Sequence, residues 1–193
     1  GARVFWENDG IVKRTNQAGE FSFQDVEKKT GWLLVEKEGY GSDSTFISWS
    51  GNNSDLQILL NSLPTADSIN FYSIVQNKHA PGPQSEQLYH FVIRASVSDD
   101  EGDVDSVFLR NHSLGTSFNL TYNPASKFYE HTFTNYDLNL DKDQVDEIVG
   151  KDFQLIANTA DGEDIVIAEA DIKRIIKDEI EFISPANNQT VEV

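Results

Sequence analysis

The sequence contains no cysteine among its 193 residues. It therefore has no disulfide, no thiolate metal ligand and no cysteine nucleophile. It also lacks any apolar run of 18 residues, which excludes a membrane-spanning helix within this sequence. A Gly-x-Ser-x-Gly elbow, a phosphate-binding loop and a dinucleotide fingerprint are missing as well. These absences exclude the classes of enzyme that can be recognised from a short sequence motif. They favour a chain that has no catalytic activity of its own.

Positive charge is scarce, with 15 Lys and Arg against 32 Asp and Glu and a net charge of −17. Nucleic acids and anionic membrane surfaces both attract Lys and Arg, so we expect neither as a partner. The charge is also uneven. Residues 1–61 carry 6 basic and 9 acidic side chains, whereas residues 62–193 carry 9 and 23. This asymmetry, together with the break at Leu63-Pro64-Thr65, predicts two domains.

Aromatic residues are plentiful, with 12 Phe, 6 Tyr and 3 Trp, which indicates packed cores rather than disorder. Short apolar segments separated by Gly- and Asn-rich turns predict an all-β protein of two tandem antiparallel β-sandwich domains. A short helix is expected at residues 141–149, because Asp141 and Gln144 have the spacing of a capping pair. The predicted strands are residues 3–6, 21–23, 32–36, 46–49 and 56–60 in the first domain, and 68–75, 88–98, 104–110, 117–122, 128–133, 153–158 and 164–168 in the second.

Residues 1–61 resemble a carboxypeptidase regulatory-like domain, which has a transthyretin-like β-sandwich fold. The residues that carry this resemblance are Gly1-Ala2, Val4, Thr15, Gly19, Phe21, Phe23, Leu33, Val35, Gly39-Tyr40 and the segment 55–60. The resemblance implies that the first strand of the domain lies outside this sequence, which leaves an open edge. It implies no catalytic residue, since such domains serve as stalks, adhesin modules and enzyme appendages.

Residues 67–178 are similar to bacterial immunoglobulin-like modules. The acidic turn at residues 97–107 carries this similarity. The tail, residues 179–193, is similar to the opening of a further module of this kind. These resemblances imply a larger protein that is secreted or anchored at the cell surface. We therefore expect an extracytoplasmic location, in the periplasm, at the cell surface or in the medium.

The acidic turn is the strongest candidate for a metal site, because it places five carboxylates within seven residues. These are Asp99, Asp100, Glu101, Asp103 and Asp105. Calcium takes six to eight oxygen ligands, so a metal bound here is expected to be calcium. The spacing is not that of an EF-hand, and the alternative is a solvated turn that uses Asp and Gly for their turn conformations. No other cofactor is expected.

An apolar sheet face is the second candidate. If Val4, Leu33 and Val35 point inward, alternation places Phe5, Trp32 and Leu34 on the outer face of the first sheet. Exposed aromatic side chains can stack on sugar rings or contact a partner protein. The alternative is that a neighbouring strand or the second domain covers them.

These observations predict a non-catalytic structural or interaction module of a larger secreted or surface-anchored protein. Its partners would be other domains of that protein or surface partners. The alternative is a carbohydrate-binding or accessory region of a secreted hydrolase. A lipoprotein signal upstream would favour an anchored module, and a hydrolase domain downstream would favour the accessory region.

Overall fold

The computed structural model describes residues 1–49, 56–77 and 87–176. Within them the regular structure is β apart from two 3-10 turns, so the predicted all-β class is confirmed. All strand pairings are antiparallel and fall into two sheets, of four and seven strands. The strands are β1 Arg3–Trp6, β2 Ile11–Arg14, β3 Thr30–Glu36, β4 Asp43–Ser48, β5 Thr65–Asn77, β6 Gln87–Ser98, β7 Val104–Asn111, β8 Thr116–Asn123, β9 Phe128–Thr134, β10 Phe153–Thr159 and β11 Asp164–Ala170.

The small sheet has the strand order β2-β1-β3-β4. Val4 and Trp6 of β1 are buried, as are Leu33 and Val35 of β3, which is the period-2 pattern expected of a sheet with one covered face. The ring of Trp6 packs against that of Trp49, with 4.5 Å between centroids. These side chains form the core of the first unit.

Irregular segments, rather than a second sheet, cover the inner face of the small sheet. The strands predicted at residues 21–23 and 56–60 are not formed. Their side chains still alternate: Phe21 and Phe23 are partly buried against the core, whereas Ser22 is exposed. No backbone hydrogen bond among the described residues involves residues 21–24 or 56–60. The prediction was wrong because an alternating pattern becomes a strand only when a ladder partner is present.

The large sheet has the strand order β11-β10-β7-β8-β9-β6-β5. Strand β8 pairs with β7 through its first half and with β9 through its second half. The outer strands β5 and β11 also lie in contact, so the sheet curls around its own core. Phe91, Phe133, Phe153 and Leu155 are fully or almost fully buried in that core.

Two 3-10 turns, Tyr136–Leu138 and Val145–Ile148, connect β9 to β10. The helix predicted at residues 141–149 is therefore a single turn. Half of the predicted capping pair forms, since the backbone N–H of Asp141 donates to the side chain of Gln144 at 3.1 Å. The residue that caps the turn is Gln144 rather than Asp141, and it makes no side-chain cap bond. Val145 and Ile148 are buried three residues apart, a spacing that matches the period of a 3-10 turn.

The two sheets share no strand, and their cores are separate clusters. Strand β5 begins at Thr65, two residues before the predicted start of the second domain. Among the described residues there is no helix with the length and hydropathy that a membrane span requires. The predicted tail at residues 179–193 lies outside the described residues.

Candidate functional site

The linker, residues 61–64, is bound on one side by a turn of the first unit. The backbone N–H of Gly41 donates to the carbonyl oxygen of Asn61, and that of Leu63 donates to the carbonyl oxygen of Gly39, both at 2.8 Å. These bonds form a short antiparallel bridge between the turn and the linker. The connection between the two sheets is therefore fixed to the first unit by its backbone.

The acidic turn, residues 99–105, binds the linker from the other side. The side-chain amide of Asn61 donates to Asp103 Oδ2 at 2.7 Å. The backbone N–H of Ser62 donates to Glu101 Oε2 at 3.2 Å, and its hydroxyl donates to the same oxygen. Asp99 Oδ2 accepts the backbone N–H of Asp103 at 2.8 Å, and its Oδ1 lies 3.5 Å from the Ser62 hydroxyl. Three of the five predicted calcium ligands are thus hydrogen-bond acceptors at the linker.

The remaining two carboxylates, Asp100 and Asp105, are exposed. Within the described residues, no group of three or more acidic or histidine side chains is arranged to hold a metal ion. One buried oxygen, Asp103 Oδ1, has no hydrogen-bond partner there. The structure brings the acidic residues to the linker rather than around a common centre, and calcium binding stays a prediction.

The outer face of the small sheet has the arrangement that alternation indicates. Trp32 is 49% exposed, and Phe5 and Leu34 are half-buried between it and the polar rim. Phe5 and Leu34 lie directly opposite each other on β1 and β3. The three residues predicted to point outward therefore lie on the same face of the small sheet.

Sequence reasoning missed two members of this surface. Phe46 of β4 lies opposite Trp32 and is 60% exposed, and the two rings meet edge to face with 5.5 Å between centroids. Val12 of β2 lies opposite Phe5 and is also exposed. We call these five side chains, Phe5, Val12, Trp32, Leu34 and Phe46, the outer apolar face. Strand β2 was not among the predicted strands, and the register that places Phe46 opposite Trp32 was not readable from the sequence.

Charged side chains border the outer apolar face on one side. Arg3 and Glu36 form an ion pair at 2.6 Å, and the guanidinium of Arg3 lies 5.5 Å from the centre of the Phe5 ring. Arg14, opposite Arg3, is exposed. This border carries net positive charge on a strongly acidic protein.

An open groove of about 1480 Å³ lies along the inner side of the small sheet. Val4 and Val35 line it, together with residues 15–23, Asp25, Val26 and residues 56–60. Lys37 is in this lining, and its Nζ lies 3.6 Å from the centre of the Tyr40 ring. The lining is mixed, because charged side chains such as Glu20 and Asp25 lie among apolar ones such as Phe21.

Carboxylates elsewhere are held in their ionised form. Hydrogen bonds from Ser126 and Arg94 lower the pKa of Glu130, and those from the backbone and side chain of Thr134 lower the pKa of Asp137. Asn158 and Arg110 do the same for the pKa of Asp164. A general acid needs a carboxyl whose pKa is raised by burial. The shifts resolved for carboxyls in the described part of the chain have the opposite sign.

Comparison of the chain with protein-family models, with curated proteins and with solved structures returned no match. The assignment of function depends on the geometry described above.

Proposed function

We propose that the chain is a non-catalytic interaction module of a larger extracytoplasmic protein, and that it contacts another domain or a surface partner through the outer apolar face. The observation that carries this proposal is the exposure of Trp32 and Phe46 side by side on a regular sheet. The pKa shifts resolved for carboxyls in the described residues are all downward, which favours binding over acid catalysis.

The free energy available for binding can be estimated from the exposed surface area of Trp32 and Phe46. Tryptophan and phenylalanine each present about 150–250 Å² of surface, and about half of that surface is still in water here. Covering roughly 200 Å² would contribute about 5 kcal/mol before the cost of association. The edge-to-face packing of the two rings holds them in a fixed arrangement that protrudes from the sheet. Such an arrangement fits a partner protein with a complementary pocket.

The module assignments are part of the same proposal. The order β5-β6-β9-β8 followed by β7-β10-β11 corresponds to the A-B-E-D and C-F-G sheets of an immunoglobulin-like sandwich, with β8 bonded to both. This order supports an immunoglobulin-like module at residues 67–178. The open groove beside residues 21–23 and 56–60 supports a carboxypeptidase regulatory-like module at 1–61 with an open edge. The extracytoplasmic location depends on these resemblances.

Hydroxyl-radical footprinting tests the proposal, because it reports the solvent exposure of individual aromatic side chains. Trp32 and Phe46 should be oxidised readily in this chain and should be protected in the full natural protein or its complex. Tyr136, which is 54% exposed and belongs to the unit of the large sheet, is the internal control. Equal oxidation of Trp32 and Phe46 in both samples would refute docking at this face.

Carbohydrate binding is the second candidate, as expected of an accessory region of a secreted hydrolase. The observation in its favour is the half-exposed indole of Trp32, a side chain that stacks on sugar rings. Titration with soluble polysaccharides should then change tryptophan fluorescence in the wild type and in a Val12→Ala variant, but not in Trp32→Phe. No change in the wild type with any polysaccharide would remove this candidate.

A further inference from the structure

The joint between the two sheets centres on Ser62, whose residue surface is only 7% exposed. Its backbone and hydroxyl both donate to Glu101, which is 39 residues away in the sequence. The neighbouring Asn61 donates to Asp103 across 42 residues. A surface linker would normally leave such groups to water. Here the buried Ser62 and the partly buried Asn61 donate to specific acceptors, although Glu101 itself is exposed.

A third element joins the same place. The backbone N–H of Ala160, in the turn between β10 and β11, donates to the carbonyl oxygen of Asp103 at 2.9 Å. Asp103 therefore contacts the linker through its side chain and a second turn of the large sheet through its backbone. Pro64 restricts the chain further, because its ring fixes φ and it has no N–H.

We propose that Glu101 and Asp103 form a latch that fixes the orientation of the small sheet relative to the large one. Two units joined by a short linker move independently by default. Here the linker is bound by the Gly39–Gly41 turn on one side and by carboxylate acceptors on the other. The latch concerns the joint alone and is independent of the proposed docking at the outer apolar face.

The latch accounts for the density of carboxylates better than a solvated turn does. Asp99 accepts the backbone N–H of Asp103, which shapes the turn, while Glu101 and Asp103 hold the linker. None of the ion pairs within the described residues includes these three side chains. Hydrogen-bond donors of the linker contact Glu101 and Asp103 directly. Asp100 and Asp105 make none of these hydrogen bonds. They are therefore matched controls for Glu101 and Asp103.

Residual dipolar couplings and ¹⁵N relaxation test the latch in the full 193-residue chain. In the wild type, the two sheets should fit one alignment tensor and one rotational correlation time. The double variant Glu101→Ala, Asp103→Ala removes both acceptors of the linker and should need two tensors, and the correlation time of the small unit should fall roughly twofold relative to the large one, as expected for a released smaller body. Asp100→Asn and Asp105→Asn remove acidic charge from the same turn and should retain one tensor.

Three results would overturn the latch. The first is two tensors in the wild type, and the second is one tensor in the double variant with unchanged amide shifts in both sheets. The third is a change in the wild-type couplings when millimolar calcium chloride is added, since the carboxylates would then leave the linker for the metal. Unchanged couplings with calcium support the latch. If the double variant fails to fold, Asn61→Ala with Glu101→Ala gives the same comparison, because it removes one partner of each bridge and leaves Asp103 in place.

Discussion

Replacing Asn135 with alanine should destabilise the large sheet substantially. Asn135 is fully buried, at the end of β9. Its side-chain oxygen accepts the backbone N–H of Tyr89 at 3.3 Å, and its side-chain amide donates to the carbonyl oxygen of Leu140 at 2.8 Å. Its backbone also bonds to Tyr89 and Leu140, and those bonds do not depend on the side chain. The substitution therefore removes two buried hydrogen bonds and little else.

The loss of stability can be estimated from the two buried backbone groups that would be left without a hydrogen-bond partner. A buried backbone group that loses its partner costs about 1–3 kcal/mol, so the two together should lower the free energy of unfolding by about 2–6 kcal/mol. For a chain of this size, that corresponds to a fall in Tm of roughly 5–20 °C. Such a loss is a large fraction of the stability of a typical domain, about 5–15 kcal/mol.

Urea unfolding followed by far-ultraviolet circular dichroism measures this difference. Asn119→Ala is the control, since Asn119 is exposed on β8, and it should change the free energy of unfolding by less than about 0.5 kcal/mol. Asn135→Asp keeps the size and the acceptor but loses the donor to Leu140 near neutral pH, so it should also be destabilised. A change below about 0.5 kcal/mol in Asn135→Ala would show that the loop rearranges without cost and would refute the reasoning.

Two further predictions concern charge. If calcium binds residues 99–105, it should raise the free energy of unfolding by about 2.7 kcal/mol at a hundredfold excess over Kd. Thermal unfolding with millimolar calcium and with chelator measures this, and equal midpoints would contradict calcium binding. For Asp137, the hydrogen bonds from Thr134 lower the folded-state pKa, so their stabilisation is present above its ordinary pKa and is lost as the pH falls through the lowered value. Thr134→Val removes the hydroxyl donor and should raise the pKa of Asp137, with a loss of stability near neutral pH that disappears in acid. An unchanged Asp137 titration by NMR would contradict this.

The outer apolar face shows what local pattern can predict. Alternation around Val4 and Leu33 was enough to place Phe5 and Trp32 outward, because the period of a strand is fixed by its backbone. It was not enough to place Phe46 beside Trp32. That pairing depends on the register between β3 and β4, which is set by the loop that joins them. Local sequence thus indicated which side chains point outward, but not which of them meet.

The acidic turn shows what the local pattern of the sequence cannot predict. Five carboxylates in seven residues predict either a metal site or a solvated turn when only the neighbouring sequence is considered. The partners that distinguish Glu101 and Asp103 from Asp100 are Asn61 and Ser62, which are about forty residues away. Only the packing of β6 and β7 beside the linker brings them together. A property that depends on such long-range contacts is not present in the local pattern.

The segments at residues 21–23 and 56–60 have the alternation of strands without their hydrogen bonds. Both line the open groove, and their apolar side chains already pack against the first core. Each has backbone N–H and C=O groups that a neighbouring strand would satisfy. Gly1 is exposed and lines the same groove, so a peptide extended from its nitrogen begins beside both segments.

A short alternating Thr-Val extension joined to Gly1 should therefore convert both segments into paired strands. Amide hydrogen exchange at residues 21–23 and 56–60 should slow at least tenfold, because a tenfold change in protection requires only about 1.4 kcal/mol of added stability. A Gly-Ser extension of equal length is the control, since it has no side chains to bury in the groove and no preference for extended structure. Slower exchange in one segment alone would still place the added strand at an edge of the groove. Equal exchange with both extensions would show that the groove does not accept a strand, and it would also remove the support that the groove gives to the carboxypeptidase regulatory-like assignment.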